Sequence, residues 1–259
     1  GKGGCREANS CYLCKELVFN WLFMEKGRVF LFPTPIAQGD VEDCLPRKNA
    51  DCLKECDCFV VEELRTARRF LRKAGYDRSF EETEFFLLNE HTKDEVVNEY
   101  LRPLREGKNV GVMSEAGLPC VADPGARFVA LCQREGFEVV PFVGPCSLMM
   151  ALMSSGFNGQ SFAFVGYLPV EKSARMKKIR DLETSAYRFA QTQIFIEAPY
   201  RNNHLFESLL AVCRGETLLC VAADIGGQSM EIRTKSINSW RKEGMDLNKR
   251  NTVFLISKQ

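Results

Sequence analysis

Histidine is nearly absent from this chain of 259 residues, which holds only His91 and His204. A zinc centre built on imidazoles, or a relay of histidine acids and bases, has almost nothing to draw on. Both glycine loops that usually cradle phosphates in α/β proteins are missing as well. No Gly-x-Gly-x-x-Gly turn follows the first strand pattern, and the Gly-Lys pairs at 1–2 and 107–108 lack the loop that would make either a P-loop. Kinase and simple nicotinamide-dehydrogenase readings lose their main support. No apolar run approaches the roughly 18 residues that span a bilayer, and Leu17–Phe23 follows Lys15 and Glu16 too closely for a signal peptide. Neither sign of charge dominates: 35 Lys and Arg face 34 Asp and Glu, a net charge of +1. A polyanionic partner would therefore have to be met by a local patch, not by a global field. The expectation is a soluble cytoplasmic protein.

Cysteine, by contrast, is plentiful, with 12 residues. Their distribution argues against a metal centre. Cys11-x-x-Cys14 has the spacing of half a zinc site, but no second Cys-x-x-Cys follows it. Cys58, Cys132 and Cys220 fall inside apolar runs, where a thiol acts as a small buried hydrophobe. Reduced structural thiols and no metal are expected.

Length favours two domains over one. Residues 1–23 match no later pattern, so 1–26 is set apart as an N-terminal appendage. From Arg28 onward, short β-branched or aromatic runs alternate with helix-period segments, the signature of α/β layering. Strands are predicted at Val29–Phe32, Cys58–Val61, Phe85–Leu88, Asn109–Met113, Glu138–Phe142, Ser161–Val165, Gln193–Ile196, Leu218–Ala222, Met230–Thr234 and Thr252–Ser257. Thr92-x-x-Glu95 reads as a capping box for a helix stopped at Gly107, Asp123-Pro124 as an N-cap and N1 proline before a helix stopped at Gly136, and Ser147–Gly156 as a further helix. The first five strands have room for crossover helices and make a parallel-rich sheet. The late strands lie too close together for crossovers and must pair partly antiparallel, giving a mixed second sheet. The predicted organisation is a 27–143 N-terminal α/β domain and a 144–259 C-terminal α/β domain, with a ligand cleft between them and a hinge at Val143–Ser147.

Two loops concentrate the unusual residues. Pro33-Thr34-Pro35-Ile36 follows the first strand as a proline-fixed turn. Met113-Ser114-Glu115-Ala116-Gly117-Leu118-Pro119 ends the fourth, where small residues let a backbone approach a ligand and Glu115 sits at the carboxyl end of a parallel strand.

Together with Asp123-Pro124-Gly125, Gly144-Pro145-Cys146-Ser147, Gly166-Tyr167-Leu168-Pro169 and Glu197-Ala198-Pro199-Tyr200-Arg201, these segments occur in the order and spacing of the tetrapyrrole methylase superfamily. Within it the chain most resembles the ribosomal RNA small-subunit methyltransferase I branch, over nearly its whole length after the appendage. The resemblance implies a two-domain homodimeric methyltransferase that uses S-adenosyl-L-methionine. Carried over by position, the cofactor would touch Pro33, Thr34, Met113, Ser114, Glu115, Ala116, Val121, Cys146, Ser147, Ile196, Glu197, Ala223 and Asp224.

A ribose hydroxyl is a weak nucleophile and gains from a nearby base. Glu62-Glu63-x-Arg65, Glu90-His91 and Glu197-x-x-x-Arg201 offer one, so Glu62, Glu63, Arg65, Glu90, His91 and Arg201 are the catalytic candidates. Of the adjacent glutamates, one could face the ligand while the other caps the following helix. The chain departs from the branch at several of these points. Glu62-Glu63-Leu64-Arg65 stands for Glu-Asp-Thr-Arg, Asn89 for a second histidine, Ala198-Pro199-Tyr200-Arg201 for Ser-Pro-His-Arg, and Ala222–Gln228 for a segment containing Arg-Glu-Leu-Thr-Lys.

Two basic helix patterns bear on the substrate: Arg65, Arg68, Arg69, Arg72 and Lys73, and Lys172, Arg175, Lys177, Lys178 and Arg180. They are either solvated faces or a local phosphate footprint. The expected activity is methylation of RNA, at the ribose 2′-oxygen of small-subunit (16S) ribosomal RNA. Methylation of a small molecule such as a tetrapyrrole, or cofactor binding without catalysis, are the alternatives.

Overall fold

The computed structural model describes residues 26–258. The appendage, with Cys5, Cys11 and Cys14, thus lies outside the described residues except for Lys26. The chain forms two compact units, one running to Thr34 and resuming over Leu45–Gly144, the other combining Pro35–Cys44 with the chain from Pro145 onward. Pro35–Cys44, assigned above to the N-terminal domain, groups with the second unit, where Ile36 packs against the Leu148 and Ile194 core.

In the first unit, β1 (Val29–Leu31), α1 (Arg47–Leu53), β2 (Cys58–Val61), α2 (Leu64–Lys73), β3 (Glu84–Leu87), α3 (Asp94–Glu99), α4 (Arg102–Arg105), β4 (Val110–Val112), α5 (Gly125–Arg134) and β5 (Val139–Pro141) follow in order. The five strands pair in parallel as β3-β2-β4-β1-β5. Alternation sorts their side chains between two faces. Val29, Cys58, Val60, Val110 and Val112 meet Val97, Leu101 and Leu104 near α3 and α4, and Phe128 and Cys132 of α5. The opposite face is aromatic: Phe59 meets Tyr76 edge-on at 5.2 Å, and Phe32 stacks on Phe142 at 4.8 Å. Gly111 of β4 makes room for these rings, because a Cβ there would lie 2.5 Å from the Phe59 ring and 3.2 Å from that of Phe32.

Two predicted helix starts are corrected. Thr92 does not cap: α3 begins at Asp94 with no side-chain cap, and Thr92 Oγ1 instead accepts from the Asn89 N–H at 3.0 Å. The pattern down to Gly107 is broken into α3 and α4, with Pro103 near the start of the second piece. Asp123 acts one step earlier than a cap at Pro124: α5 starts at Gly125, with Pro124 in the cap position.

The second unit holds α6 (Ser147–Ser155), β6 (Phe162–Tyr167), α7 (Lys172–Phe189), β7 (Thr192–Ile196), α8 (Asn202–Val212), β8 (Leu218–Ala223), β9 (Glu231–Ser236), α9 (Ile237–Glu243) and β10 (Thr252–Ser257). Its sheet runs β6-β7-β10-β8-β9, with β6 and β7 parallel and the other pairs antiparallel. Both faces are buried. Ile194, Cys220, Ala222, Val253 and Leu255 face α6, while Phe195, Leu219, Val221, Phe254 and Ile256 face α7, α8 and α9. The architecture is the expected one, two α/β layers with a parallel first sheet and a mixed second.

Gly111→Ala should cost about 1–3 kcal/mol, because the added carbon overlaps a ring that is wholly buried in a close-packed layer. Urea unfolding of the two proteins measures it. A change within error would mean that the aromatic face has slack.

Candidate active site

Open α/β sheets take ligands past the carboxyl ends of strands, where neighbouring connections diverge. In the first unit this point lies between β1 and β4. From β1 the chain crosses to β2 on one side, whereas from β4 it crosses to β5 on the other. Right-handed crossovers put these connections on opposite faces of the sheet. The loops leaving the two strands are tied together: the Thr34 N–H donates to Gly117 O at 2.9 Å, and the Gly117 N–H returns to Thr34 O at 3.1 Å. Gly117 has φ +75°, a conformation that needs no Cβ. Pro33 rests against the bare backbone of Gly144, where a Cβ would approach its ring to 2.1 Å.

This brings Pro33, Thr34, Ser114, Glu115 and Ala116 to one rim, with Glu115 and Ala116 exposed. Met113 is buried, so a ligand would meet its backbone more than its side chain. Val121 is exposed between Cys120 at φ +67° and Ala122 at φ +58°. That unusual turn is held by Asp123, whose carboxylate accepts the Cys120 N–H at 2.9 Å and the Gly125 N–H at 2.7 Å.

The adjacent glutamates have separate environments. Glu63 caps α2, accepting from the Arg65 N–H at 2.8 Å, the Thr66 N–H at 2.7 Å and the Thr66 hydroxyl at 2.6 Å. These bonds hold its carboxyl below the ordinary range. Glu62, at the end of β2, is half-buried and shares a recess with Met113, Ser114 and Asp123. Burial pushes its carboxyl up, and so does repulsion from Asp123, Glu115 and Glu90, against one bond from the Glu115 backbone. Glu115, although exposed at the rim, is raised by partial desolvation and then by Glu63, against a bond from Thr66, and Asp123 is raised by burial despite its two backbone donors. Carboxylates thus face one another here, and no basic side chain figures among the groups acting on Glu62.

The remaining catalytic candidates stand differently. Glu90 and His91 are each 85% exposed and lie 3.5 Å apart. Arg65 is exposed in the first turn of α2. In the second unit, Glu197 is buried at the end of β7, and its Oε1 accepts from the Ala198 N–H at 2.7 Å, Arg201 Nε at 3.0 Å and Arg201 Nη2 at 2.9 Å. Arg201 is therefore a fork on Glu197, with its ring neighbour Tyr200 beneath it. Asp224, left-handed at φ +51°, accepts from Arg250 Nε at 2.8 Å and from Ser229 Oγ at 3.1 Å. Ala223 has no exposed surface: its side chain is in the core and its backbone is registered with Thr252 and Glu231. Ile196 is partly buried, and Cys146 and Ser147 begin α6, Cys146 in the cap position without a side-chain cap bond.

Arg250 is a residue that sequence reasoning missed. It fixes the 224–231 turn through Asp224, Glu231 Oε2 at 3.0 Å and Ser229 O at 2.8 Å, from a loop 26 residues downstream, and no local pattern marks such a partner.

The sequence matches the Tetrapyrrole (Corrin/Porphyrin) Methylases family over residues 39–237. The chain belongs to that family. It is 31% identical to the ribosomal RNA small subunit methyltransferase I of Vibrio cholerae over 76% of this chain and 64% of that protein. With the protein of the same name from Bacillus subtilis it shares 32% identity, over 82% of this chain and 68% of its relative. The chain thus spans slightly less than two thirds of the Vibrio protein's length. A solved structure of uroporphyrin-III C-methyl transferase from Thermus thermophilus complexed with S-adenyl homocysteine shares the fold, with a TM-score of 0.53 and 17% identity over 89% of this chain and 97% of that one. Tetrapyrrole methylases use S-adenosylmethionine. A group carrying a sulfonium and an ammonium suits the acidic rim at the strand ends of the first unit, where Glu115 is an exposed carboxylate beside Ser114. Among the described residues no helix is long and apolar enough to cross a membrane.

Replacing Glu63 with alanine should make the protein less stable, in a pH-dependent way. A carboxyl held below its ordinary value of 4.5 stabilises the fold above that value, and the stabilisation disappears as pH falls through the lowered one. The stability gap between wild type and variant should be full at neutral pH and close on acidification. Thermal melts from pH 7 to pH 3 check it, and a constant gap would show that the cap works through something other than its charge.

Proposed function

We propose that this chain is an S-adenosylmethionine-dependent methyltransferase of small-subunit ribosomal RNA that modifies a ribose 2′-oxygen of the 16S molecule, and that it works as a homodimer. The observation that carries the chemistry is Glu62, a half-buried carboxylate at a strand end whose affinity for a proton is raised by its surroundings, and which has no ion pair among the described residues. The names of the relatives support the substrate.

Methyl transfer to oxygen is a displacement in line with the bond being broken, so much of the catalysis is positioning. S-adenosylmethionine supplies an electrophilic methyl group. Thr34, Ser114, Glu115, Ala116 and Val121 of the first unit would hold it through backbone and a few polar contacts. Glu62 accepts the hydroxyl proton as the oxygen takes the methyl group. A base with a raised pKa is better matched to a weakly acidic hydroxyl than an ordinary carboxylate.

Calorimetry on protein treated with EDTA should show micromolar binding of S-adenosylmethionine without any metal, and Glu115→Lys should abolish it by setting a cation beside the sulfonium. No heat at millimolar cofactor would end the assignment. Small ribosomal subunits lacking the modification should take up labelled methyl in a ribose-protected position, and sedimentation should give twice the chain mass. Label transferred to a tetrapyrrole and not to RNA would replace the substrate.

Glu62→Gln should lower the methylation rate by about 10²–10⁴-fold while leaving cofactor affinity intact. The wild-type rate should fall on acidification with a midpoint above the ordinary glutamate value, since the base must be deprotonated. Retention of the full rate in the variant would assign the proton elsewhere.

A further inference from the structure

The α2 helix carries five cations, Arg65, Arg68, Arg69, Arg72 and Lys73, and no acid between Leu64 and Ala74. None of them enters an ion pair among the described residues. Arg78, just beyond the helix, behaves quite differently, donating to Asp57 Oδ1 at 3.0 Å and to Lys54 O at 2.8 Å.

The five divide into two stripes. Arg68 and Arg72 are tied to the protein. The Arg72 guanidinium lies 3.9 Å over Phe80 and donates to Tyr76 O at 2.7 Å and Arg78 O at 2.9 Å, while Arg68 lies 5.5 Å from Phe80 and 5.3 Å from Phe85, its Nε buried. Arg72 is exposed but engaged by those contacts, whereas Arg65, Arg69 and Lys73 are exposed with no side-chain hydrogen bond or ring contact among the described residues. Separated by four residues each, they line one face at a rise of about 6 Å per step, a spacing comparable to that of successive phosphates along one strand of a nucleic acid. The pinned arginines beside them add positive potential to that face.

We infer that the Arg65, Arg69 and Lys73 stripe of α2 is a docking surface for the phosphate backbone of the RNA substrate, an inference that rests on the RNA reading above. Its position suits the role. Arg65 lies three residues after Glu62, so a strand following the stripe toward the start of α2 is led to the carboxyl ends of the sheet, where the base stands. An aqueous polyanion fits this face because its exposed side chains are cationic, while Ala67, Phe70 and Leu71 are buried.

The other basic pattern, on α7, is a built-in control. Arg175 is withdrawn from solvent, with Nε donating to Ser208 Oγ at 3.0 Å and Nη1 to Val170 O at 2.6 Å. Lys172, Lys177 and Arg180 remain exposed, with the acids Glu171 and Asp181 next to them in sequence. An Arg65→Gln/Arg69→Gln/Lys73→Gln variant and a Lys172→Gln/Lys177→Gln/Arg180→Gln variant lose the same charge from different helices.

Binding of wild type and both variants to small-subunit ribosomal RNA is titrated against salt, with melting temperatures to confirm folding. The α2 variant should bind more weakly, its log–log salt slope reduced by roughly two to three units, and single Arg69→Gln by roughly one. The α7 variant should keep the wild-type slope. Equal slopes for wild type and the α2 variant, with wild type binding RNA, overturn the docking surface and leave the RNA reading standing. Equal losses in both triple variants assign the effect to net charge and also overturn it. Displacement of the RNA by polyglutamate as effective as by an unrelated RNA of equal charge would redirect the face to an acidic protein. Wild type without salt-dependent RNA binding removes the RNA reading and the inference with it.

Discussion

The reciprocal hydrogen bonds between Thr34 and Gly117 close a gap that the topology of the first unit forces open. Because β1 and β4 are neighbours whose connections leave in opposite directions, the chain past their ends cannot continue the ladder, and its backbone donors and acceptors must find other partners. Two amide bonds across the gap answer that need and fix the rims on either side: Pro33 against Gly144, and the Ser114–Ala116 turn with its side chains outward. Small and proline residues in these loops follow from the constraint. Gly117 must be left-handed, Gly144 must lack a Cβ, and proline needs no partner for a missing N–H.

Electrostatically the two units are arranged in contrasting ways. Glu197 and Asp224 each have an arginine of their own, Arg201 and Arg250, and those pairs brace the chain after β7 and β8. At the strand ends of the first unit, Glu62, Glu115 and Asp123 have hydrogen bonds but no arginine among the described residues. Burial disfavours the charged form of each, and repulsion from neighbouring carboxylates adds to it at Glu62 and Glu115.

Short β-branched and aromatic runs made the strands legible in advance, down to the full extent of Cys58–Val61 and Thr252–Ser257. The parallel and mixed sheets followed from the room between strands. Helix starts were harder to read, because a capping pattern states only what a side chain can do. Thr92 had a competing partner in Asn89, three residues back, and took it. Long side chains were least legible. Nothing in the string Lys-Ser-Ala-Arg-Met distinguishes Arg175, buried on Ser208, from its solvated neighbours, because Ser208 is supplied by another helix. The same is true of Arg72, whose platform Phe80 comes from the loop beyond the helix.

The division of labour between Glu62 and Glu63 shows how local rules place chemistry. A strand that ends in an open α/β sheet must turn into its crossover helix, and the helix needs a side-chain acceptor for its first N–H groups. Glu63 satisfies that need with three bonds to Arg65 and Thr66, which sets the backbone direction at the junction. Once its neighbour is committed to the helix, Glu62 is left as the first side chain past the strand, lining the recess with Ser114 and Asp123. The cap also fixes where α2 begins, and hence where Arg65, Arg69 and Lys73 stand relative to that recess. One carboxylate with an ordinary structural task therefore positions both a half-buried neighbouring carboxylate and a row of exposed cations.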